Sequence, residues 1–420
     1  MTLAKSAPGA AAPAAGRVAA AVFVPFACGY FLSYFYRAIN AVIAPNLVAD
    51  IGLSATDLGL MTSAYFLVFA LTQLPLGLLL DRVGPRRVQS VLLLVGASGA
   101  LLFAAADSAW ALTLARGLIG LGAAGGLMAG LKALSLWFPR ERLPLVNACY
   151  LAVGGLGALS ATAPVEALLH LTDWRGLFTG LAGAGVAASA AIFLAVPEKR
   201  SAAAPERLAG QLRGLRQIYR DRLFWRIAPL SAAAAGTSMA VQSLWAGPWL
   251  RDVAGLSRAQ VASHLLVMAA ALTVGFLSAG LLADLGRRFG LALTTVIGLS
   301  VAAFLVVEAA VLLELTALGY GLWAAYGFVG NMSSLTFAAL AQHFPPALTG
   351  RANSAFNVIT ILTAFAVQYV IGVVIDLWPA TAQGGYAPAG YRAGFGLMFG
   401  VQVVALGWFL WFRPGRRISP

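Results

Sequence analysis

A short basic stretch between two long uncharged apolar runs constrains this chain more than any other feature. The stretch is Gly77-Leu-Leu-Leu-Asp81-Arg82-Val-Gly84-Pro85-Arg86-Arg87, and the apolar runs cover residues 58–80 and 88–106. Each run is long enough to cross a hydrocarbon core of roughly 30 Å as a helix. We therefore expect two membrane helices joined by a tight loop. Glycine permits the close turn, and the arginines hold the loop on one side of the membrane.

The composition extends this interpretation to the whole chain. Of the 420 residues, 60% are hydrophobic and only 10% are charged, whereas a soluble domain carries about 25% charged residues. The chain is therefore expected to be an all-α polytopic membrane protein. The net charge of +13 would suit nucleic acid or acidic lipid, but the cations lie in alternate loops, so we expect no nucleic-acid partner. Cys28 and Cys149 fall in apolar runs and indicate no disulfide framework.

Apolar runs separated by polar breaks predict twelve transmembrane helices. The break between the ninth and the tenth is only Glu314-Leu-Thr, so this boundary is the least defined. The approximate limits are 20–45, 57–80, 88–106, 110–136, 143–168, 175–196, 227–250, 259–283, 290–312, 316–342, 352–376 and 393–412.

The distribution of lysine and arginine predicts that both termini are cytoplasmic. Most of the 28 basic residues fall in the tails and in the loops on the side of the N-terminus. Cytoplasmic loops of membrane proteins carry such an excess. Only four loop arginines lie on the other side: Arg175, Arg251, Arg258 and Arg392.

The longest polar break divides the spans six and six. We expect a cytoplasmic tail at 1–19 rather than a cleaved signal peptide, because the apolar run that follows is long enough to span. The other segments are a six-helix half at 20–196, a cytoplasmic linker at 197–226, a second six-helix half at 227–412 and a cytoplasmic tail at 413–420. In the linker, Arg213, Arg216 and Arg220 would share one helix face. This face either lies against anionic headgroups or belongs to a solvated linker.

The basic stretch has a second, degenerate copy. Gly280-Leu-Leu-Ala-Asp284-Leu-Gly286-Arg287-Arg288 again lies between the second and third spans of a half, and Asp284 follows Asp81 by 203 residues. Two six-helix halves in parallel repeat are the architecture of one large group of transporters.

With both copies, the chain resembles the major facilitator superfamily of secondary transporters. That family carries a Gly-x-x-x-Asp-Arg-x-Gly-x-Arg-Arg loop between helices 2 and 3. The resemblance implies a carrier in a bacterial inner membrane that exposes its site alternately to each side. It also implies that the loop residues latch the halves in one access state, unless the arginines only anchor the topology. The expected gating residues are Gly77, Asp81, Arg82, Gly84, Arg86, Arg87, Asp284, Arg287 and Arg288.

Arg37 is the most informative charge inside a span. No acidic residue accompanies it in its own span, and a charge at a helix centre costs roughly 2.5–3.5 kcal/mol. A planar guanidinium in a cavity suits a carboxylate or phosphate, although it could instead bond helix-break carbonyls. The segment resembles the first helix of the anion:cation symporter branch. Tyr34, Arg37 and Asn40 match, but Tyr36 replaces an aspartate, which weakens the case for proton coupling there.

Further polar residues inside spans are candidate substrate ligands. Gly247-Pro248 can break the seventh span, and broken helices line cavities. Lys132 is either a second anion contact or a lysine that reaches the interface. Bonding between helices is the alternative role for most of the others. The predicted substrate-binding set is Arg37, Asn40, Lys132, Gln242, Trp245, Asn331, Asn357 and Gln368.

Three charged residues are candidates for coupling transport to a proton gradient. Glu166 and Glu308 are acids well inside spans, and a desolvated carboxylate can carry a proton at neutral pH. Arg116 begins an Arg116-Gly-Leu-Ile-Gly120-Leu-Gly122 run and either joins proton transfer, pairs with Glu166 or braces the helices. Each acid has a purely structural alternative as well.

We expect a transporter of a small organic anion, coupled to protons, monomeric, surrounded by lipid and without a cofactor. A copper or other metal importer of the same superfamily is the first alternative, because Met239, His264 and Met268 offer soft ligands. Efflux of small molecules is the second. An intramembrane protease, with Ser98 of Gly96-Ala97-Ser98-Gly99 as nucleophile and His264 as base, is the remote third.

Overall fold

The computed structural model describes residues 12–139, 141–198, 208–381 and 385–412, and these residues form helices and no strand. The all-α class is thereby confirmed. A π-helical turn covers Val241–Trp245, and short 3-10 turns cover Thr316–Leu318 and Met332–Ser334. The α-helices are α1 (Ala12–Ala38), α2 (Asn40–Ile51), α3 (Ala55–Arg82), α4 (Pro85–Ala105), α5 (Ala109–Ala123), α6 (Gly126–Trp137), α7 (Leu143–Ser160), α8 (Ala163–Leu168), α9 (Trp174–Ala195), α10 (Leu208–Tyr219), α11 (Arg222–Ala240), α12 (Ala246–Asp252), α13 (Arg258–Arg288), α14 (Leu293–Leu312), α15 (Gly319–Gly330), α16 (Leu335–His343), α17 (Pro346–Ile375) and α18 (Pro388–Trp411).

Several of these helices have the length and composition of membrane spans. In the described ranges, 8 helices are long and apolar enough to cross a bilayer. The number rises to 9 if α1 and α2, whose axes are bent by 51° relative to each other, form one span. The predicted number of twelve spans exceeds this count because some of the predicted spans consist of two shorter helices. The seventh consists of α11, the π-helical turn and α12, and the tenth of α15, a 3-10 turn and α16.

Two matching helix starts support the internal repeat. The Ser54 hydroxyl accepts from the backbone of Asp57, whose carboxylate accepts from the Ser54 backbone, at the start of α3. Ser257 and Gln260 form the same capping box at the start of α13. Such reciprocal bonds satisfy N–H groups that a helix start leaves unpaired. Ser257 follows Ser54 by 203 residues, the same offset as between the two basic stretches.

The helices form two groups that meet along a limited set of contacts. The helices α1 to α9 pack on one another, as do α11 to α18. Between the groups, α3 packs on α17, α7 and α8 pack on α13, and α2 packs on α12 and the π-helical turn.

Small residues bring the two groups close together where α3 begins and α17 ends. A Cβ at Gly59 would lie 3.0 Å from the Gln368 carbonyl oxygen, and one at Gly372 would collide with the Ala55 carbonyl. A Cβ at Gly247 would likewise collide with the Ala41 carbonyl. We call this side of the molecule the Ser54 end, and the side where α3 and α13 finish the Asp81 end.

The predicted segment boundaries remain predictions, but the helices near them can be described. The helix α1 begins at Ala12, inside the predicted tail, whose residues 1–11 lie outside the described ranges. The predicted linker contains α10, and its residues 199–207 lie outside those ranges, as does the predicted tail at 413–420. The least defined boundary, between the ninth and tenth predicted spans, is a turn in which Glu314 has a φ of 53°.

Candidate functional site

Arg37 lies in the last turn of α1, directly before the bend into α2. Its guanidinium carbon is 4.3 Å from the centre of the Tyr34 ring, and its side chain is half-buried. This guanidinium forms no hydrogen bond or ion pair with another described residue. The bend therefore presents a cation whose hydrogen-bond donors are available to a ligand.

Arg116 lies close to the same bend but is fully buried. Its Nη1 donates to the Tyr36 carbonyl at 2.8 Å, and its guanidinium lies 5.2 Å from the centre of the Tyr65 ring. Its Nε and Nη2 have no hydrogen-bond partner within the described ranges. Pairing with Glu166, one of the three alternatives for Arg116, is not formed, because Glu166 is bound by Arg258 at 3.1 Å.

Asn40, at the start of α2, is also buried. Its Nδ2 donates to the Thr62 hydroxyl at 2.8 Å, whereas its Oδ1 has no partner among the described residues. One side of the amide thus links α2 to α3. The structure therefore places Arg37, Arg116 and Asn40 around one bend in the first helix group.

The π-helical turn carries candidate ligands of the second group. It contacts α1, α2, α13 and α17, so it lies where the two groups meet. Gln242 on this turn is half-buried. Trp245 is fully buried, and its Nε1 donates to the Gln368 carbonyl at 3.0 Å. Ser243 donates to Gln368 Oε1 at 3.3 Å. Trp245 and Gln368 thus hold the turn against α17.

Asn331 and Asn357 lie on other helices of the second group. Asn331 stands at the junction of α15 and a 3-10 turn, is half-buried, and has an Nδ2 without a partner in the described part of the chain. Asn357 is a half-buried residue of α17. Both residues are thus partly covered by neighbouring helices.

Lys132 lies beside the basic stretch between α3 and α4. Its ammonium forms an ion pair with Asp81. On the same loop, Arg87 pairs with Glu198 at 2.8 Å, and Arg86 donates to the Phe193 carbonyl at 2.9 Å through Nε. These contacts hold α3, α4, α6 and the end of α9 together at the Asp81 end.

The charged residues in the rest of the predicted gating set are exposed. Arg82 is exposed, and Gly84 has a φ of 95°, which glycine adopts readily. Asp284 pairs with Arg287 one turn away at 3.1 Å, and Arg288 is exposed. A Cβ at Gly77 or Gly280 would meet no described atom within 4 Å.

At the Ser54 end, polar contacts join the two helix groups. The Asp376 carboxylate accepts from the backbone N–H groups of Ala55 at 2.9 Å and Thr56 at 2.7 Å. Arg258 donates to Asn46 at 2.7 Å as well as to Glu166. Asp376, Arg258 and Asn46 were not predicted as functional. Their partners are distant in sequence, and the only available signal was the charge of Asp376 and of Arg258 directly beside an apolar span.

Glu308 lies apart from the other candidates, buried between α14 and α18. Gln402 Nε2 donates to its carboxylate at 2.7 Å. Gln402 Oε1 and the Tyr326 hydroxyl are buried without partners in the described ranges. Gln402 was also missed, because a lone glutamine in an apolar span gives no sign of its partner.

The candidate metal ligands lie on two helices, Met239 on α11 and both His264 and Met268 on α13. His264 Nδ1 is bonded to the Gln260 carbonyl at 2.7 Å, and its ring stacks on Tyr320 with centroids 3.8 Å apart. Met268 is buried and Met239 is half-buried on another helix. Among the described residues, no group of three or more His, Cys, Asp or Glu side chains could hold a metal ion. Ser98, the protease candidate, donates to the Val95 carbonyl at 2.8 Å.

The fold and the two-group arrangement define a helical membrane carrier, and comparison with known proteins gives its family. Residues 26–367 match the model of the Major Facilitator Superfamily, so the chain belongs to this family of transporters and is not an enzyme. The resemblance seen in the basic stretch is thereby confirmed.

Individual relatives match over part of their length. A probable sulfoacetate transporter of Cupriavidus necator is 25% identical over 268 residues, which are 61% of this chain and 62% of that protein. A putative tartrate transporter of Agrobacterium vitis is 24% identical over 240 residues, 55% of this chain and 50% of that protein. The matched part is thus less than two thirds of either relative.

A solved structure shows the same fold over nearly the whole chain. It is a bacterial homologue of the human lysosomal transporter Spinster in an inward-facing, unoccupied conformation. Its TM-score is 0.78 at 17% identity, and the match covers 93% of this chain and 96% of that one.

Proposed function

We propose that this protein is a secondary active transporter that carries a small organic anion across a bacterial inner membrane by alternating access. The observation that carries the proposal is Arg37, a half-buried cation at a helix bend with no bonding partner among the described residues. An isolated charge at this depth is costly unless it is neutralised. A carboxylate or sulfonate on the substrate would neutralise it. The names of the relatives, sulfoacetate and tartrate transporter, fit this class.

The proposed topology has twelve spans with both termini in the cytoplasm. The count follows if interrupted helices are each counted as one span: α1 with α2, α5 with α6, α7 with α8, α11 with α12, and α15 with α16. The excess of arginine at the Asp81 end then identifies this end as cytoplasmic.

The proposed substrate site lies between the helix groups, beside the bend and the π-helical turn. Arg37 binds the anionic group, and Gln242, Asn331 and Asn357 are half-buried residues of the opposite half that would supply amide groups. Asn40, Trp245 and Gln368 hold the helices that carry these ligands, because each already forms a hydrogen bond between helices. We assign Lys132 to the gate at the Asp81 end, where it pairs with Asp81.

Alternating access requires that contacts at the two ends form and break in turn. The described contacts between the halves at the Ser54 end include close glycine packing, the Asp376 bonds and the Arg258 contacts. We infer that this conformation is closed to the outside and open to the cytoplasm. The basic stretch and its copy would join the halves in the opposite state.

We propose protons as the coupling ion, with Glu308 as the acid that takes them up. Glu308 is buried, and its only hydrogen-bond partner among the described residues is the uncharged amide of Gln402. Glu166 serves instead in the contact with Arg258, and Arg116 steadies the bend through the Tyr36 carbonyl.

Uptake by proteoliposomes tests the substrate class. Purified protein is reconstituted, and accumulation of labelled sulfonates, dicarboxylates, sugar acids and Cu(I) is measured under an inward proton gradient. We expect uptake of an anion, a loss of at least about tenfold in Arg37→Ala, and partial activity in Arg37→Lys, which keeps the charge but not the planar fork. His264→Ala is the matched control and should leave anion uptake intact. Copper uptake that is lost only in His264→Ala would replace the anion by a metal.

A further inference from the structure

The end of α10, the turn after it and the start of α11 carry an exposed basic surface that the transport site does not use. Its exposed members are Arg216, Arg220 and Arg222, which we call the linker arginines. Asp221 is the one acid among the described residues 208–226. Its carboxylate accepts from the Phe224 backbone and lies close to His343 Nε2, each at 2.9 Å. Among the described residues, no carboxylate forms an ion pair with a linker arginine.

The helix α10 is fixed to the second helix group, so the linker arginines have a defined orientation. Ile218 is fully buried, and a Cβ at Gly214 would lie 2.9 Å from Cδ of Arg351 on α17. Arg216 lies in the last turn of α10, and Arg220 follows directly after the end of this helix. The buried side of α10 thus leaves these two side chains exposed on the molecular surface.

Two tryptophans lie beside the linker arginines. Trp225 Nε1 donates to the Tyr219 carbonyl and Trp408 Nε1 donates to the Trp225 carbonyl, both at 2.8 Å. Their residues remain 40% and 37% exposed, so the rings offer apolar surface while their N–H groups are satisfied. Tryptophan in this arrangement is typical of the membrane–water interface.

We propose that the linker arginines and the two tryptophans bind an anionic phospholipid. The guanidinium groups bind the headgroup phosphate, for which arginine has a matching planar fork of donors. The rings of Trp225 and Trp408 contact the glycerol and upper acyl region. Exposed arginines at the level of aromatic anchors are complementary to acidic lipid and not to a zwitterionic headgroup. The bound lipid would hold α10 at the membrane surface.

Native mass spectrometry of the full chain in detergent tests this site. Phosphatidylglycerol and phosphatidylcholine are titrated separately, and the bound fraction is measured. The wild-type protein should bind phosphatidylglycerol more tightly. The R216Q/R220Q/R222Q variant should bind it about tenfold or more weakly, because each basic group near an anionic surface contributes to attraction. The matched R216K/R220K/R222K variant keeps the charge and should retain most of the binding. Arg142→Gln, which removes an exposed arginine elsewhere, should change nothing.

Further arms separate a lipid from other anions and guard against misfolding. Glycerol phosphate, which lacks acyl chains, should not displace the lipid. Trp225→Ala should weaken the binding of the lipid but should not change the binding of glycerol phosphate. Gel filtration checks folding, and Arg220→Gln alone gives a smaller loss if the triple variant does not fold. Equal binding of both lipids by the wild type, or unchanged phosphatidylglycerol binding in a folded triple glutamine variant, would overturn the proposal.

Discussion

Arg37 and Arg116 are both cations beside one helix bend, yet their surroundings differ. Arg37 is half-buried and lies over the Tyr34 ring, whereas Arg116 is fully buried and donates to the Tyr36 carbonyl. A ligand can approach the first without unfolding the helices, but not the second. The sequence identified both as unusual charges inside spans, because their cost in lipid is independent of detail. It could not separate their roles, which depend on how far neighbouring helices cover each side chain.

Glu308→Gln tests the proposed coupling at the level of one residue. Glutamine has nearly the same size and can still bond Gln402, but it cannot gain or lose a proton at neutral pH. We expect that accumulation driven by a proton gradient stops, while exchange of labelled for unlabelled substrate continues, because exchange needs no net proton movement. Both are measured in proteoliposomes with the anion found by the uptake screen.

Glu314→Gln is the matched control for Glu308→Gln. It also removes a carboxylate, but one that pairs with Arg392 at 3.1 Å near a helix end. This variant should keep both accumulation and exchange. Undiminished accumulation in Glu308→Gln would exclude Glu308 as the proton carrier.

At the scale of elements, two interruptions place the candidate ligands. The bend between α1 and α2 carries Arg37, and the π-helical turn carries Gln242. The sequence predicted a break at Gly247-Pro248, and the π-helical turn lies directly before it. Pro248 has no N–H to donate to the carbonyl one turn earlier, which accounts for the altered pattern of helix hydrogen bonds there. Apolar periodicity predicts where a helix exists, but it does not predict which residue at a break turns inward.

Gly247→Ala tests whether close packing between elements holds the Ser54 end shut. The new methyl group would collide with the Ala41 carbonyl of the other helix group, so the groups must separate there. Spin labels at Leu171 and Leu318, in a background without Cys28 and Cys149, report the distance between the halves at this end. We expect a larger fraction of long distances. Gly407→Ala, where a methyl group meets no described atom within 4 Å, should leave the distribution unchanged. An unchanged distribution in Gly247→Ala as well would show that this packing does not control closure.

The whole molecule differs at its two ends, and this difference was the least predictable part of the fold. The repeat, the helical class and the family follow from local patterns: apolar runs and a recurring loop. The closure of the Ser54 end depends instead on partners far apart in sequence. Asp376 and Ala55 are separated by 321 positions, and Arg258 and Glu166 by 92. No local pattern pairs such residues, because either could face lipid, water or another helix.

The combination R258Q/D376N tests whether these distant contacts set the conformation of the whole carrier. Asp376 binds the N-terminus of α3, where negative charge is favourable, and Arg258 binds Glu166 across the halves. Both contacts are partly exposed, so we assign them together only about 1 kcal/mol, which corresponds to about a fivefold shift between the two access states. A cysteine at Ser243, buried between the groups, should then react about fivefold faster with an impermeant maleimide added at the Ser54 end. A cysteine at Leu171, exposed in either state, corrects for differences in reconstitution. If the cysteine at 243 reacts no faster, the contacts accompany closure without maintaining it, and glycine packing alone must hold the two halves together.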